Sequence, residues 1–138
     1  MKLSTRICLL CISLLLAVSV SAQCFPSTDG ERMRYAAYIE MPKAYLSGIC
    51  VLLHDGDEVK GCLFNEFGVT ALDFTYCLKK QKVMLHDVLP MLDKWYIRRV
   101  LKKDLLRLMQ QLQQGQTRYE NERQHITYQF TPIHETEQ

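Results

Sequence analysis

The hydrophobic period of this chain changes at Pro90, and no other feature narrows its possible folds as much. Before Pro90 the apolar residues fall in short, β-prone runs divided by turn residues. After it, Ile97, Val100, Leu101, Leu105, Leu108 and Leu112 recur at three- and four-residue steps. Alternation at period two belongs to strands, whereas the three-to-four step marks one face of a helix. The pattern therefore predicts a strand meander followed by one amphipathic helix of about four turns. Asp93 is placed to cap the start of that helix and Gly115 to stop it.

Within the first part, residues 33–40 read as an opening strand, with a short helix as the alternative, and Pro42 interrupts them. Residues 45–54 and 58–67 flank Asp55-Gly56-Asp57, a strong hairpin signal. Residues 65–68 form a second turn or bulge before a strand over 69–78. That strand sets Leu72, Phe74, Tyr76 and Leu78 on one side and Ala71, Asp73, Thr75 and Cys77 on the other. A charged turn at 79–82 leads to a strand over 83–89, and Ile126, Tyr128 and Phe130 alternate in a final strand. Both sheet faces carry apolar residues, so both are expected to be covered. The predicted class is α+β: a curved antiparallel sheet of five or six strands, an unclosed half-barrel, with one long helix packed on it.

The amino terminus reads as an export signal. Lys2 and Arg6 precede an apolar run over residues 7–20, followed by Val20-Ser21-Ala22. This layout predicts cleavage after Ala22, and the run is short for a bilayer span. An uncleaved anchor is one alternative. Lipidation at Cys24 is another, although Gln23 occupies the place where a lipoprotein signal wants a small residue. The expected organisation is a signal peptide at 1–22, a flexible leader at 23–32, one domain at 33–131 and a polar tail at 132–138. Taking Lys2 and Arg6 from 17 basic residues leaves 15, which equals the 15 acidic ones. A neutral domain is not built to steer toward nucleic acid.

Export also removes Cys8 and Cys11 and leaves Cys24, Cys50, Cys62 and Cys77 for an oxidising compartment. These can be core filler or disulfide partners. With a three-residue loop at 55–57, Cys50 falls opposite Cys62 and within bridging reach, so this pair is the preferred disulfide. A two-residue loop would shift the register and separate them. No cysteine–histidine spacing of the zinc type is present, and no cofactor motif is recognisable.

His54-Asp55 and His86-Asp87 invite a catalytic reading, but neighbours in a strand point to opposite faces. Enzymatic chemistry would need His54, His86 and Asp73 within hydrogen-bond reach of one another. Asp73, inside an apolar strand, reads as an outward carboxylate or a partner for a helix cation. Arg98, Arg99, Lys102, Lys103 and Arg107 form a basic helix face that suits solvent, anionic lipid or an acidic partner. Trp95 and Tyr96 precede it with apolar rings and polar tips.

The order of these pieces resembles a known group. A signal peptide is followed by Tyr-Leu-Ser-Gly-Ile-Cys-Val-Leu-Leu, a Gly-Asp-Glu-Val turn-and-return, Asn-Glu-Phe-Gly-Val-Thr-Ala-Leu-Asp-Phe-Thr-Tyr and a leucine-rich helix. Over residues 45–112 this is similar to the LolA/LolB group of periplasmic lipoprotein carriers. The resemblance implies a curved sheet sheltering acyl chains. It also implies a non-enzymatic exported protein that binds or carries a lipid or a lipoprotein acyl group. Leu72, Phe74, Tyr76, Trp95, Tyr96, Leu101 and Leu105 are the expected cavity walls. The alternative is an interaction module of an envelope assembly that presents the basic helix face to a protein partner.

Overall fold

The computed structural model describes residues 24–134. The expected signal at 1–22 and the last four residues of the expected tail lie outside the described residues. The strands are β1 (Arg32–Glu40), β2 (Tyr45–Asp55), β3 (Glu58–Asn65), β4 (Thr70–Cys77), β5 (Lys82–Val88), β6 (Arg118–Asn121) and β7 (Ile126–Pro132). A 3-10 turn at Pro90–Leu92 leads into the helix α1 (Trp95–Gln113). All seven strands join one antiparallel sheet in the order β5-β4-β3-β2-β1-β7-β6, curled into a half-barrel.

The sheet therefore has seven strands, not five or six. The additional strand is β6, whose Arg-Tyr-Glu-Asn sequence has no apolar alternation to betray it. It is held instead by pairing with β7 from Arg118 opposite Gln129 to Asn121 opposite Ile126. Its position at the sheet edge explains the composition, since edge strands are commonly polar or charged.

The helix closes the half-barrel. It follows edge strand β5 in the chain and precedes edge strand β6, and it runs close to both. Its inner face of Leu101, Leu105, Leu108, Met109 and Leu112 meets the concave face of the sheet. One inward row runs through Tyr35, Cys50, Leu63 and Leu72, each opposite the next on successive strands and each fully buried. The next row passes through Leu52, Gly61 and Phe74. There the Phe74 ring occupies the space a side chain at position 61 would need: a Cβ on Gly61 would lie 2.3 Å from the ring.

One local expectation at the helix ends changes. Asp93 does not cap α1; the N-cap is Lys94, and the Asp93 carboxylate instead accepts a hydrogen bond from Arg98 Nε at 2.8 Å. The stop at Gly115 holds. Gly115 adopts φ +85°, its N–H bonds to Leu112 O, and Gln116 N–H reaches back to Gln111 O. That paired return is the Schellman arrangement, which needs the left-handed conformation glycine adopts at little cost.

The β2–β3 loop has two residues, Gly56 (φ +62°) and Asp57, with Asp55 opposite Glu58. This moves the register by one from the expected pairing. Cys50 lies opposite Leu63, and Cys62 opposite Val51. Cys50 points into the core and Cys62 to the outer face, so the expected Cys50–Cys62 bridge is replaced by two separate thiols.

Residues 24–31 cross one end of the half-barrel rather than trailing from it. Phe25 is buried edge-on against Tyr76 at 6.3 Å, and the Tyr35 hydroxyl donates to Cys24 O. Asp29 accepts a bond from Gly56 N–H at 2.8 Å. The buried aromatic ring gives this segment an anchor that its polar neighbours do not supply.

Candidate functional site

The seven expected cavity residues do not surround a common space. Leu72, Phe74, Tyr76, Leu101 and Leu105 are buried members of the packed core. Trp95 is 75% exposed and Tyr96 49%, with their rings in edge contact at 5.8 Å. The structure thus divides the set into a core on the inner side of α1 and an aromatic pair on its outer side.

Trp95 does line a groove, together with Leu85, Arg98, Arg99 and Lys102, with a volume of about 340 Å³. Helical spacing explains the grouping. Positions 95, 98, 99 and 102 are three or four residues apart and share one face of α1, which flanks β5. Leu85 supplies an apolar wall from the sheet, the indole supplies a second, and three cations stand along the helix side. Arg98 is paired with Asp93, and among the described residues no ion pair holds Arg99 or Lys102.

The basic face is accordingly split. Arg98, Arg99 and Lys102 belong to the groove beside β5. Arg107 is turned toward β6, where its charge favours ionisation of Tyr119 against the larger opposing effects of burial and Asp104. Lys103, one helical turn before Arg107, shares that side.

A larger cleft of about 790 Å³ lies at the opposite end, among Cys24, Glu31, His54, Leu112, Gln113 and Gly115. Its polar groups are committed to the chain itself. The two His54 ring nitrogens lie 2.8 and 2.9 Å from the carbonyl oxygens of Pro26 and Gly56. Glu31 accepts backbone N–H bonds from Ser27 and Thr28, each at 3.0 Å. Size alone therefore favours this cleft, but the smaller groove has more uncommitted charge.

The catalytic constellation does not assemble. His54 lies on the inward side of β2, opposite Val59. His86 sits at the β5 bulge with Nε2 2.8 Å from Thr75 Oγ1. Asp73 lies between Cys62 and Asp87 across the ladder, on the outer face with Thr75, so it meets neither a helix cation nor His54. Among the described residues no three histidine, cysteine or acidic side chains come close enough to hold a metal ion.

One polar cluster was not expected from sequence. Asp104, 3% exposed on the inner face of α1, accepts the Tyr128 hydroxyl at 2.6 Å and Asn121 Nδ2 at 2.9 and 3.0 Å. Burial, then the neighbouring carboxylate, holds the Tyr128 hydroxyl far above the usual phenol range. The available signal was an acid inside the apolar face, three residues after Leu101 and four before Leu108. The cluster ties α1 to β6 and β7, and none of its residues lines the groove.

No protein-family model, curated protein or solved structure matches this chain. No helix among the described residues is long and apolar enough to cross a membrane.

Proposed function

We propose that this protein is an exported, non-enzymatic lipid-binding module whose groove between β5 and α1 holds an anionic amphiphile. The observation that carries the reading is the joining of Leu85 and Trp95 to Arg98, Arg99 and Lys102 in one groove. An apolar body with a few convergent charges is the chemistry of a small-ligand site, and the groove volume falls at the lower end of such sites. The guanidinium groups suit a phosphate or carboxylate head, which they can bind through two parallel hydrogen bonds. A half-barrel closed by a helix is the form in which we propose the chain holds its lipid. In this reading the acyl part lies along the outer groove, because the residues expected to wall an interior cavity are packed together.

A second reading has a specific observation behind it. Lys103 and Arg107 continue the positive face beyond the groove, toward β6. An acidic segment of an envelope protein would use this longer surface, whereas a single lipid would not.

Trp95 is the single tryptophan of the chain and a natural reporter of the groove. Short-chain phosphatidylglycerol, kept monomeric, should shift its fluorescence to the blue in a saturable way. Replacing Arg98, Arg99 and Lys102 with Gln should weaken the response about tenfold or more, from roughly 1 kcal/mol per cation near an anionic group. The lipid reading fails if phosphatidylglycerol and phosphatidylcholine leave the emission unchanged. The protein-module reading gains if substitution of Lys103 and Arg107 alone dissociates a copurifying acidic protein.

A further inference from the structure

The exposed large apolar side chains are unevenly distributed, and the strand directions show where they gather. The β1–β2 connection, the β3–β4 turn, the β5–α1 connection and the β6–β7 turn all lie at one end of the half-barrel. Leu89 N–H donates to Ala71 O, which places the approach to α1 beside the start of β4. At this end stand Tyr45, Phe67, Val69, Met91, Trp95 and Tyr96, all exposed. Phe67 is 81% exposed at its turn. The opposite end presents Asp55–Asp57, the lysines of 79–82 and the glutamines of 113–116. The large rings there, Phe25 and Tyr76, are buried.

At the apolar end, the cations gather at the start of α1. Lys94, Arg98 and Arg99 stand there, and Lys102, Lys103 and Arg107 continue along its outer side toward the opposite end, while the helix's one acid, Asp104, is buried. Exposed acids at this end are Glu40, Glu66 and Glu122, and Asp93 is paired with Arg98. The apolar groups sit on separate connections with Lys43, Glu66 and Lys94 between them. Protein interface cores are depleted in lysine and glutamate, so this layout fits a flat protein partner poorly. Rings with polar tips beside long cationic side chains suit the boundary between head groups and acyl chains.

We infer that this end of the half-barrel docks on an anionic lipid bilayer. Phe67, Val69, Met91 and the Trp95–Tyr96 pair enter the boundary layer, and Lys94, Arg98 and Arg99 at the start of α1 meet the head groups. Trp95 belongs to both the rim and the groove, so docking places the groove mouth at the membrane surface. The inference deepens the lipid-binding reading and rests on it for the nature of the surface.

The test uses exported and processed protein with vesicles of phosphatidylcholine, alone or mixed with phosphatidylglycerol. The protein should cosediment with the mixed vesicles and lose most of that binding at high salt, because surface charge attraction is screened. The Phe67→Ser, Val69→Ser double variant should lower vesicle affinity about tenfold, from two lost apolar insertions. Its Trp95 response to monomeric phosphatidylglycerol should remain, since neither residue lines the groove. Vesicle binding without a monomer response would leave docking standing and remove the groove reading. Equal vesicle binding by variant and parent overturns the inference. So does absence of wild-type binding, or a concentration-dependent dimer that the same two substitutions dissolve.

Discussion

The Tyr128 hydroxyl donates to Asp104 Oδ2 at 2.6 Å inside the core and so fastens α1 to β7. Asn121 completes the carboxylate's partners from β6. A hydrogen bond to a charged group contributes about 1.5–3 kcal/mol net, and Tyr128→Phe should cost that much. Asp104→Ala should cost more, because it leaves the buried hydroxyl unsatisfied and opens space. Urea unfolding of both single variants and the double variant would show a coupling, with the double losing less than the sum. Strict additivity would remove the energetic link between the two residues.

Alkaline pH should unfold the domain by a route the same geometry defines. Burial is the largest cause raising Tyr35, Tyr128 and Cys50, with nearby acidic groups adding to it. Each folded group keeps its proton above the pH at which the unfolded chain releases it. The unfolded state then binds fewer protons, so stability falls as pH rises. The decline should begin near pH 8.5–9 with the thiol and steepen near 10 with the phenols. Urea midpoints across this range would measure it. Cys50→Ala should reduce the early part, leaving what the less buried Cys62 contributes. Tyr128→Phe should flatten the later part while Tyr35, Tyr76 and Tyr119 keep some slope.

The register makes a covalent prediction. Cys50 and Cys62 occupy opposite faces of the β2–β3 ladder, so no disulfide should join them. Iodoacetamide applied to native protein should leave Cys50 unmodified, because its thiol is buried and held protonated. Urea should expose it. Peptide mapping without reduction checks both points, and a Cys50–Cys62 peptide would contradict the register.

Gly61 and Phe74 supply a packing test. Gly61→Ala would drive a methyl group into the Phe74 ring. Overpacking of this kind typically costs about 1–3 kcal/mol. Phe74→Leu alone should also destabilise, through the lost ring volume. The two together should cost less than their sum, read from thermal or urea midpoints. Full additivity would mean that the ring moves aside freely.

Different parts of the fold left different traces in the chain. The β2–β3 hairpin was legible because Asp55-Gly56-Asp57 separates two apolar runs, yet the register was not. Both loop lengths suit those residues, and one residue decides which side Cys62 faces. Strand β6 left no periodic trace because its hydrogen bonds come from β7. The groove was half legible: Arg98, Arg99 and Lys102 stood out as a charge run, but the side of β5 that brings Leu85 against them depends on how α1 packs beside that strand.

The order of elements, the meander, the single helix and its glycine stop could be read from the chain alone. Those follow from hydrophobic period and turn chemistry, which act over a few neighbouring residues. Tertiary structure decided the seventh strand, the separation of Cys50 from Cys62, the burial of Asp104 against Tyr128 and the exposure of Trp95. It also decided that the expected cavity walls would be core, because α1 closes the half-barrel between β5 and β6 and turns one apolar face inward. Each of these depends on which distant strands meet. Local spacing does not encode that, since a helix residue's surroundings come from the sheet it covers.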